Sequence, residues 1–299
     1  MTDFIVTTLS TSLGFPTLAM GDSVSIATVG GIIAPSSTLT GAGSNTIRVA
    51  GTLQLNGISL AGQDYVGVTA TGSIYTAGFA AAVSTVAQSG GSVIDNAGSI
   101  TSAHGYGVYL RGEGDLIVNS GRISGYVGVG LGAFQSQSAT LNNSGEISGT
   151  HYGVQVVGLA KTLTNTGQIH SSTAEAISLV GEFNGFTNLA ATYRILNLGT
   201  ISTAFDAAIL SYQHVAGAQL VLQNSGTIAG LVYSLFSEDE AQDIIANTGL
   251  MMGAAAIWWG RCFWATATTP PTCAAALLTV LSMVGRGRTC TFCPTARLS

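Results

Sequence analysis

The chain is short of charge, and shortest of positive charge. Only 8% of its 299 residues are Asp, Glu, Lys or Arg, against about 25% in ordinary soluble domains. One lysine occurs, Lys161, and the formal net charge is −5. That balance gives no basic footprint for nucleic acid, so no nucleic-acid partner is expected. Strong helix formers are scarce, which argues against a helical bundle. Cysteine does not occur before Cys262. A cysteine-free acidic body suits an exported protein. The opening MTDFIVTTLSTSLG has neither a basic start nor a continuous apolar run, so no N-terminal secretory signal is expected. No stretch has the 18 or more apolar residues of a spanning helix; the best candidate, residues 273–284, is too short.

What the chain has in plenty is glycine, 40 residues of it, set among Ser, Thr, Val, Ile and Leu with regular apolar alternation. The pattern points to an all-β fold rather than disorder. One short motif, Asn-x-Gly-x-Ile, then gives the architecture. It begins at Asn96, Asn119, Asn143, Asn165, Asn197 and Asn224, and ends in a degraded copy, Asn247-Thr-Gly-Leu-Met251. Two earlier copies, starting at Val49 and Ala70, keep the glycine and the apolar residue without the Asn. From one start to the next the steps run from 21 residues (49 to 70) to 32 (165 to 197).

Each copy is followed after about ten residues by a second small and apolar string, such as Tyr152-Gly-Val-Gln-Val156, and each Asn is preceded by a third, such as Leu116-Ile-Val118. Three short strands and three bends make one coil. We therefore expect a right-handed parallel β-helix, with coils stacked about 4.8 Å apart and nine registers making a rod roughly 40–45 Å long. Residues 45–251 form this solenoid of about nine coils; residues 1–44, with strand-like Ser23-Val-Ser-Ile26 and Gly31-Ile-Ile33, serve as an N-terminal cap. The seven motif asparagines are expected to form a ladder, each side-chain amide bonding the next, and to tolerate a left-handed bend. The motif glycine supplies a backbone angle that a β-carbon would forbid, and the Ile faces the core.

The Asn-x-Gly-x-Ile body resembles the coils that precede calcium-binding repeats in bacterial repeat-in-toxin, or hemolysin-type calcium-binding, proteins. It is also similar to the passenger coils of autotransporters. The resemblance covers about residues 45–250. It implies a secreted, extracellular bacterial protein. Repeat-in-toxin proteins leave the cell by a type I system that reads a C-terminal signal, which fits the expectation of no N-terminal signal, and the family implies calcium. This sequence departs from the family in having no in-frame Gly-x-Gly-x-Asp array. Its nearest match, Gly112-Glu-Gly-Asp115, reads as a turn, and no cofactor is expected in the chain itself.

The C-terminal residues obey other rules. Residues 1–260 hold all 14 acids and five bases (Arg48, Arg111, Arg122, Lys161, Arg194); residues 261–299 hold four arginines, all four cysteines and no acid. Read one base out of frame, Trp258-Trp259-Gly260 becomes Val-Gly and Phe263-Trp264-Ala265 becomes Leu-Gly, both without freedom of codon choice. The Ala-Thr run that follows can be read as Asp-Gly-Asn-Asp, which completes a Gly-x-Gly-x-Asp string. Residues 252–299 are therefore expected to be an irregular tail translated out of frame, with the calcium array and export signal lost.

Candidate chemistry is sparse. Cys290-x-x-Cys293 could be half of a zinc site or a redox pair, but zinc needs four ligands, and Cys262 and Cys273 are eleven residues apart with no histidine nearby. His104 and His151 each fall eight residues after a motif Asn, as stacked surface residues would. Glu113 and Asp115 share a bend with Arg111, whereas a polysaccharide lyase or epimerase on such a rod needs a base and a cation or arginine at the sugar carboxylate. Glu238-Asp-Glu240 with Asp243 reads as a solvated turn. The longest period carries an excursion in which Phe183 and Phe186 could meet a partner or pack the loop onto the rod. The expected function is non-catalytic, structural or surface-interacting, with flat faces turned to glycans, other cell-surface molecules or a second copy. A polysaccharide-active β-helical enzyme is the alternative.

Overall fold

A computed structural model describes residues 1–12, 14, 17–86, 90–132, 138–180, 191–212, 218–237, 243–259, 265–267, 283–285 and 288–290, with side chains as far as residue 254. The expected excursion with Phe183 and Phe186, the acidic Glu238–Glu240, and Cys262, Cys273 and Cys293 lie outside the described residues, as does the Cys290 side chain.

The fold is an all-β parallel solenoid. Every regular element among the described residues is a strand, and none is a helix able to cross a membrane. Each coil contributes one strand to each of three faces. The first face is a 12-stranded sheet that includes Val93–Asn96, Asp115–Asn119, Ser138–Asn143 and Ala160–Asn165. The second face takes the strand after the motif glycine, such as Ser99–Ser102, and the third takes the next, such as Tyr106–Leu110. In two coils these last two strands run together as Arg122–Leu131 and Glu146–Val157, bent where the register shifts between Gly125 and Val127.

Three stacks of aliphatic side chains fill the interior. Ile94, Ile117 and Leu141 come from the first face, Ile100, Ile123 and Ile147 from the second, and Val108, Val129 and Val154 from the third, all fully buried. Strand alternation alone produces this: the neighbours of each inward residue point out. Burial of each such side chain stabilises the rod by about 1.5–3 kcal/mol.

Two boundaries differ from the sequence reading. Residues 1–44 hold two coils of the same rod: Asp3–Val6 pairs with Ser23–Ile26, and that strand pairs with Thr46–Val49, all parallel and in register. At the other end, Ala255–Trp259 and Ala265–Ala267 continue the pairing onto Tyr233–Ser237 and Ile244–Asn247.

The motif itself needs two corrections. The residue in the Asn place of the second early copy is Val68, not Ala70, because Val68 pairs with both Val49 and Asn96. Four residues, Thr69 to Gly72, form that bend, closed by a Gly72 N–H to Thr69 carbonyl bond of 2.8 Å. The motif asparagines and glycines also do not adopt left-handed backbone. Among the described non-glycine residues only Ser44 and Gln63 have positive φ, and the positive-φ glycines are others, such as Gly114 and Gly132. The motif glycines answer to a different demand, the close approach of stacked backbones. A β-carbon on Gly145 would lie 2.1 Å from the Gly121 carbonyl oxygen, and one on Gly199 equally close to that of Gly167.

Candidate functional site

Inside the rod two polar rows run along two of the bends. In the first, the motif asparagines form a continuous amide ladder. Each Nδ2 donates to the next Oδ1: Asn96 to Asn119, Asn119 to Asn143, Asn143 to Asn165, Asn165 to Asn197, Asn197 to Asn224 and Asn224 to Asn247, at 2.7 or 2.8 Å. The same amides donate to backbone carbonyls, as Asn143 does to Gly145 and Gln168. Below Asn96 the row turns aliphatic, through Val68, Val49, Ile26 and Val6.

The second row has no counterpart in the sequence reading. It lies just before the first-face strand and holds Asp22, Asn45, Asp64, Ser92 and Asp115, all buried. Each carboxylate accepts from its own bend and from the adjoining coil, whereas the Asn45 oxygen accepts from Gly43 and its Nδ2 donates to the carbonyls of Ala19 and Asp22 on the adjoining coil. Asp64 takes the Gly62 and Asn45 N–H groups at 2.8 Å. Asp115 takes those of Gly112 and Ser92 at 2.9 Å, and the Thr85 hydroxyl at 3.1 Å. The row continues through Ala139, the buried lysine Lys161, Tyr193 and Leu220 to Asp243. Asp243 accepts from the Leu220 N–H and the Ser237 hydroxyl, so it is a buried bend-former and not part of a solvated acidic turn.

The Arg111, Glu113 and Asp115 grouping therefore separates. Asp115 is 1% exposed and points inward, Glu113 is exposed, and Arg111 donates through Nε to the Thr85 carbonyl at 2.9 Å. A calcium ion at Gly112–Asp115 would have to compete with the N–H and hydroxyl donors already on both carboxylate oxygens.

Burial raises the carboxyl pKa of Asp64, Asp115 and Asp243 above the ordinary 3.8, outweighing the hydrogen bonds that lower it. The folded rod thus holds these protons more tightly than the unfolded chain. Their contribution to stability is full below about 3.8 and is lost as pH rises through the raised values. We expect Asp115→Asn to flatten the slope of melting temperature against pH just above 3.8, a slope that in the parent falls as pH rises. Thermal melts at closely spaced pH values would show it, and an unchanged slope would remove Asp115 from the account.

On the outside, one cluster stands apart from the Ser/Thr-rich faces. On the third face Tyr106 pairs with Val127, which pairs one coil on with Tyr152; Tyr109 pairs with Gly130, which pairs with Gln155. Gly130 leaves a notch. A β-carbon there would sit 2.6–2.8 Å from ring atoms of Tyr109 and Tyr106, so both rings lie over it. The two rings stack at 4.4 Å and 15°, and the Tyr106 hydroxyl crosses the notch to donate to Gln155 Oε1 at 2.7 Å. Arg111 lies 5.2 Å over the Tyr109 ring. Beside them Tyr126, 46% exposed, stacks on His151 at 5.0 Å and 19°, and His151 meets Tyr152 at 4.1 Å. Burial and then the phenols around it push the Tyr106 pKa up; burial and then Glu175 do so for Tyr152. Both phenols are therefore neutral hydrogen-bonding groups at ordinary pH.

His151 thus belongs to an aromatic platform, while His104 meets the exposed Phe79 at 5.2 Å with the rings tilted by 33°. Spacing after the motif Asn placed both at one bend, but the tyrosines lay scattered in the apolar strings and gave no signal of their meeting. On the second face Arg122, Glu146 and His170 touch, Glu146 Oε1 lying 3.6 Å from the guanidinium and 3.2 Å from His170 Nε2. All three stand on a flat, solvated surface. No group of three or more potential metal ligands occurs among the described residues. A depression of about 260 Å³ beside Ser44 and Gln63 has only small or uncharged residues in its wall.

Comparison of the chain with protein-family models, with curated proteins and with solved structures gives no match in any of the three.

Proposed function

We propose that this solenoid is a secreted, non-catalytic surface-interaction protein of the repeat-in-toxin-like group, which presents its flat faces to glycans or other cell-surface molecules. The observation that carries the reading is the aromatic platform on the third face. Aromatic rings stacked against one another on a sheet offer contact area at little entropic cost, with polar tips at the rim. The amide ladder along the bend between the first and second faces ties successive coils of the same rod together.

The polysaccharide-active enzyme remains the second reading, on one observation: the Arg122, Glu146 and His170 contact joins an acid, an arginine and an imidazole. Their exposure weighs against it, because general acid–base work is favoured where a site shifts its groups out of water. The test is incubation of the protein with immobilised polysaccharides, acidic and neutral. Retention on at least one of them without release of reducing ends or unsaturated sugar is expected. Steady product release that is lost in Glu146→Gln would replace this reading with the enzymatic one.

A further inference from the structure

We propose that the platform formed by Tyr106, Tyr109, Tyr126, His151 and Tyr152 is a binding site for a neutral, linear glycan lying along the rod axis. The inference rests on the surface-interaction reading and adds to it a place, a ligand class and a direction.

Three observations argue for it. First, the rings fall in two groups on consecutive parts of one face. The Tyr106–Tyr109 pair stands on one coil, and Tyr152 follows it two coils away in the same row. The backbones of Tyr106 and Tyr152 are about 9.6 Å apart, and the Tyr106 ring leans over Gly130 until its hydroxyl meets Gln155 on the coil of Tyr152, so the rings make one strip along the rod that a chain lying lengthwise follows. A chain lying across the rod would meet one group only.

Second, the notch at Gly130 is what makes the platform. The tyrosine rings occupy the space that a side chain at Gly130 would take, and the Tyr106 hydroxyl is anchored on Gln155 across it. The rings are fixed before any ligand arrives, which lowers the ordering cost of binding. Sugar C–H groups can rest against the outward edges of the Tyr106–Tyr109 stack and on the exposed Tyr126, while their hydroxyls meet the phenols and His151.

Third, charge selects the ligand class. Glu175 borders Tyr152 closely enough to raise its pKa, and residues 1–260 hold 14 acids against five bases. Arg111 is the cation at the platform, and it is engaged by the Thr85 carbonyl and the Tyr109 ring. A polyuronate would approach an acidic rod with one cation to receive it; a neutral glycan pays no such cost.

The test uses the full chain and linear hexaoses of glucose, mannose and xylose as probes, with hexagalacturonate as the acidic arm, read by calorimetry. At least one neutral hexaose should bind. Tyr109→Ala and Tyr152→Ala should each weaken it about tenfold or more. Gly130→Val removes no ring but puts a side chain where the Tyr106 and Tyr109 rings lie, so it displaces them, and it should weaken binding as much while leaving the circular dichroism spectrum unchanged. Tyr65→Ala, on the first face, should change nothing. Equal binding by the three platform variants overturns the proposal, as does tighter binding of hexagalacturonate. If whole polysaccharides are retained by the parent and by the platform variants alike, the assignment of the site fails and the surface-interaction reading stands. If the parent retains no polysaccharide and binds no hexaose, both fail. A variant that loses its spectrum is replaced by Gln155→Ala, which frees the Tyr106 hydroxyl and should also weaken binding.

Discussion

Gly167→Ala is expected to destabilise the rod by about 3 kcal/mol or more, the upper end of what overpacking costs. Its added methyl would lie 2.1 Å from the Gly145 carbonyl oxygen and 2.6 Å from the Ser144 carbonyl. Those atoms are backbone, so no rotamer change can make room; the coils themselves would have to part. The matched control is Gly114→Ala. Gly114 has a φ of 71° but nothing within 4 Å of the new methyl, so only the left-handed strain of about 1–2 kcal/mol applies. Urea titrations of the two variants followed by circular dichroism would rank them. A Gly167→Ala midpoint equal to that of the parent would contradict the close-approach account of the motif glycine.

Asn143→Val is the second large effect. The substitution cuts the ladder on both sides, leaving the Asn119 amide without its 2.7 Å acceptor and the Asn165 oxygen without its 2.8 Å donor. The Asn119 amide keeps the Gly121 and Glu146 carbonyls, but the Asn165 oxygen and the Gly145 and Gln168 carbonyls lose the donor that Asn143 gave them; at about 1–3 kcal/mol for a buried group left unsatisfied, a loss of about 2–5 kcal/mol is expected. Asn96→Val should cost about half as much. Asn96 makes one ladder bond, to Asn119, and its other neighbour in the row is already Val68. The valine there extends the aliphatic part of the row instead of interrupting the polar part. Equal losses in the two variants would mean that the amides act singly and that the ladder adds nothing.

The coil was legible in the sequence because period-two alternation and a punctuating glycine are local signals, and each copy repeats them. Register was less so. The copy at Ala70 was aligned on its glycine, and the two extra residues of the Thr69–Gly72 bend shifted the Asn place to Val68 without changing the apparent motif. The reason for the motif glycine was hidden as well. Sequence presents glycine as conformational freedom, while at Gly167 the constraint comes from the coil beneath, 22 residues earlier at Gly145. The acid row was invisible for a similar cause. Asp22, Asp64 and Asp115 occur among Asn45 and Ser92 with no common spacing, and a lone acid in a bend looks solvent-facing until the parallel strands are stacked. The platform was the least legible part. Tyr106, Tyr109 and Tyr152 are ordinary strand residues one by one; the side chain that matters most, at position 130, is the missing one.

The change of row chemistry between Val68 and Asn96 has a consequence for how such a rod can be lengthened. From Asn119 to Asn224 each coil offers an amide upward and receives one from below. Any of these coils set upon any other reproduces that contact, as bricks of one mould would. A gene that duplicates or drops a whole repeat in this stretch keeps every amide partnered. The same event across the Val68 border brings an amide onto a methyl group in a dry interior. In this row whole repeats are thus interchangeable on either side of the border, amide on amide above it and methyl on methyl below it, and only a duplication that spans it leaves an amide unpartnered.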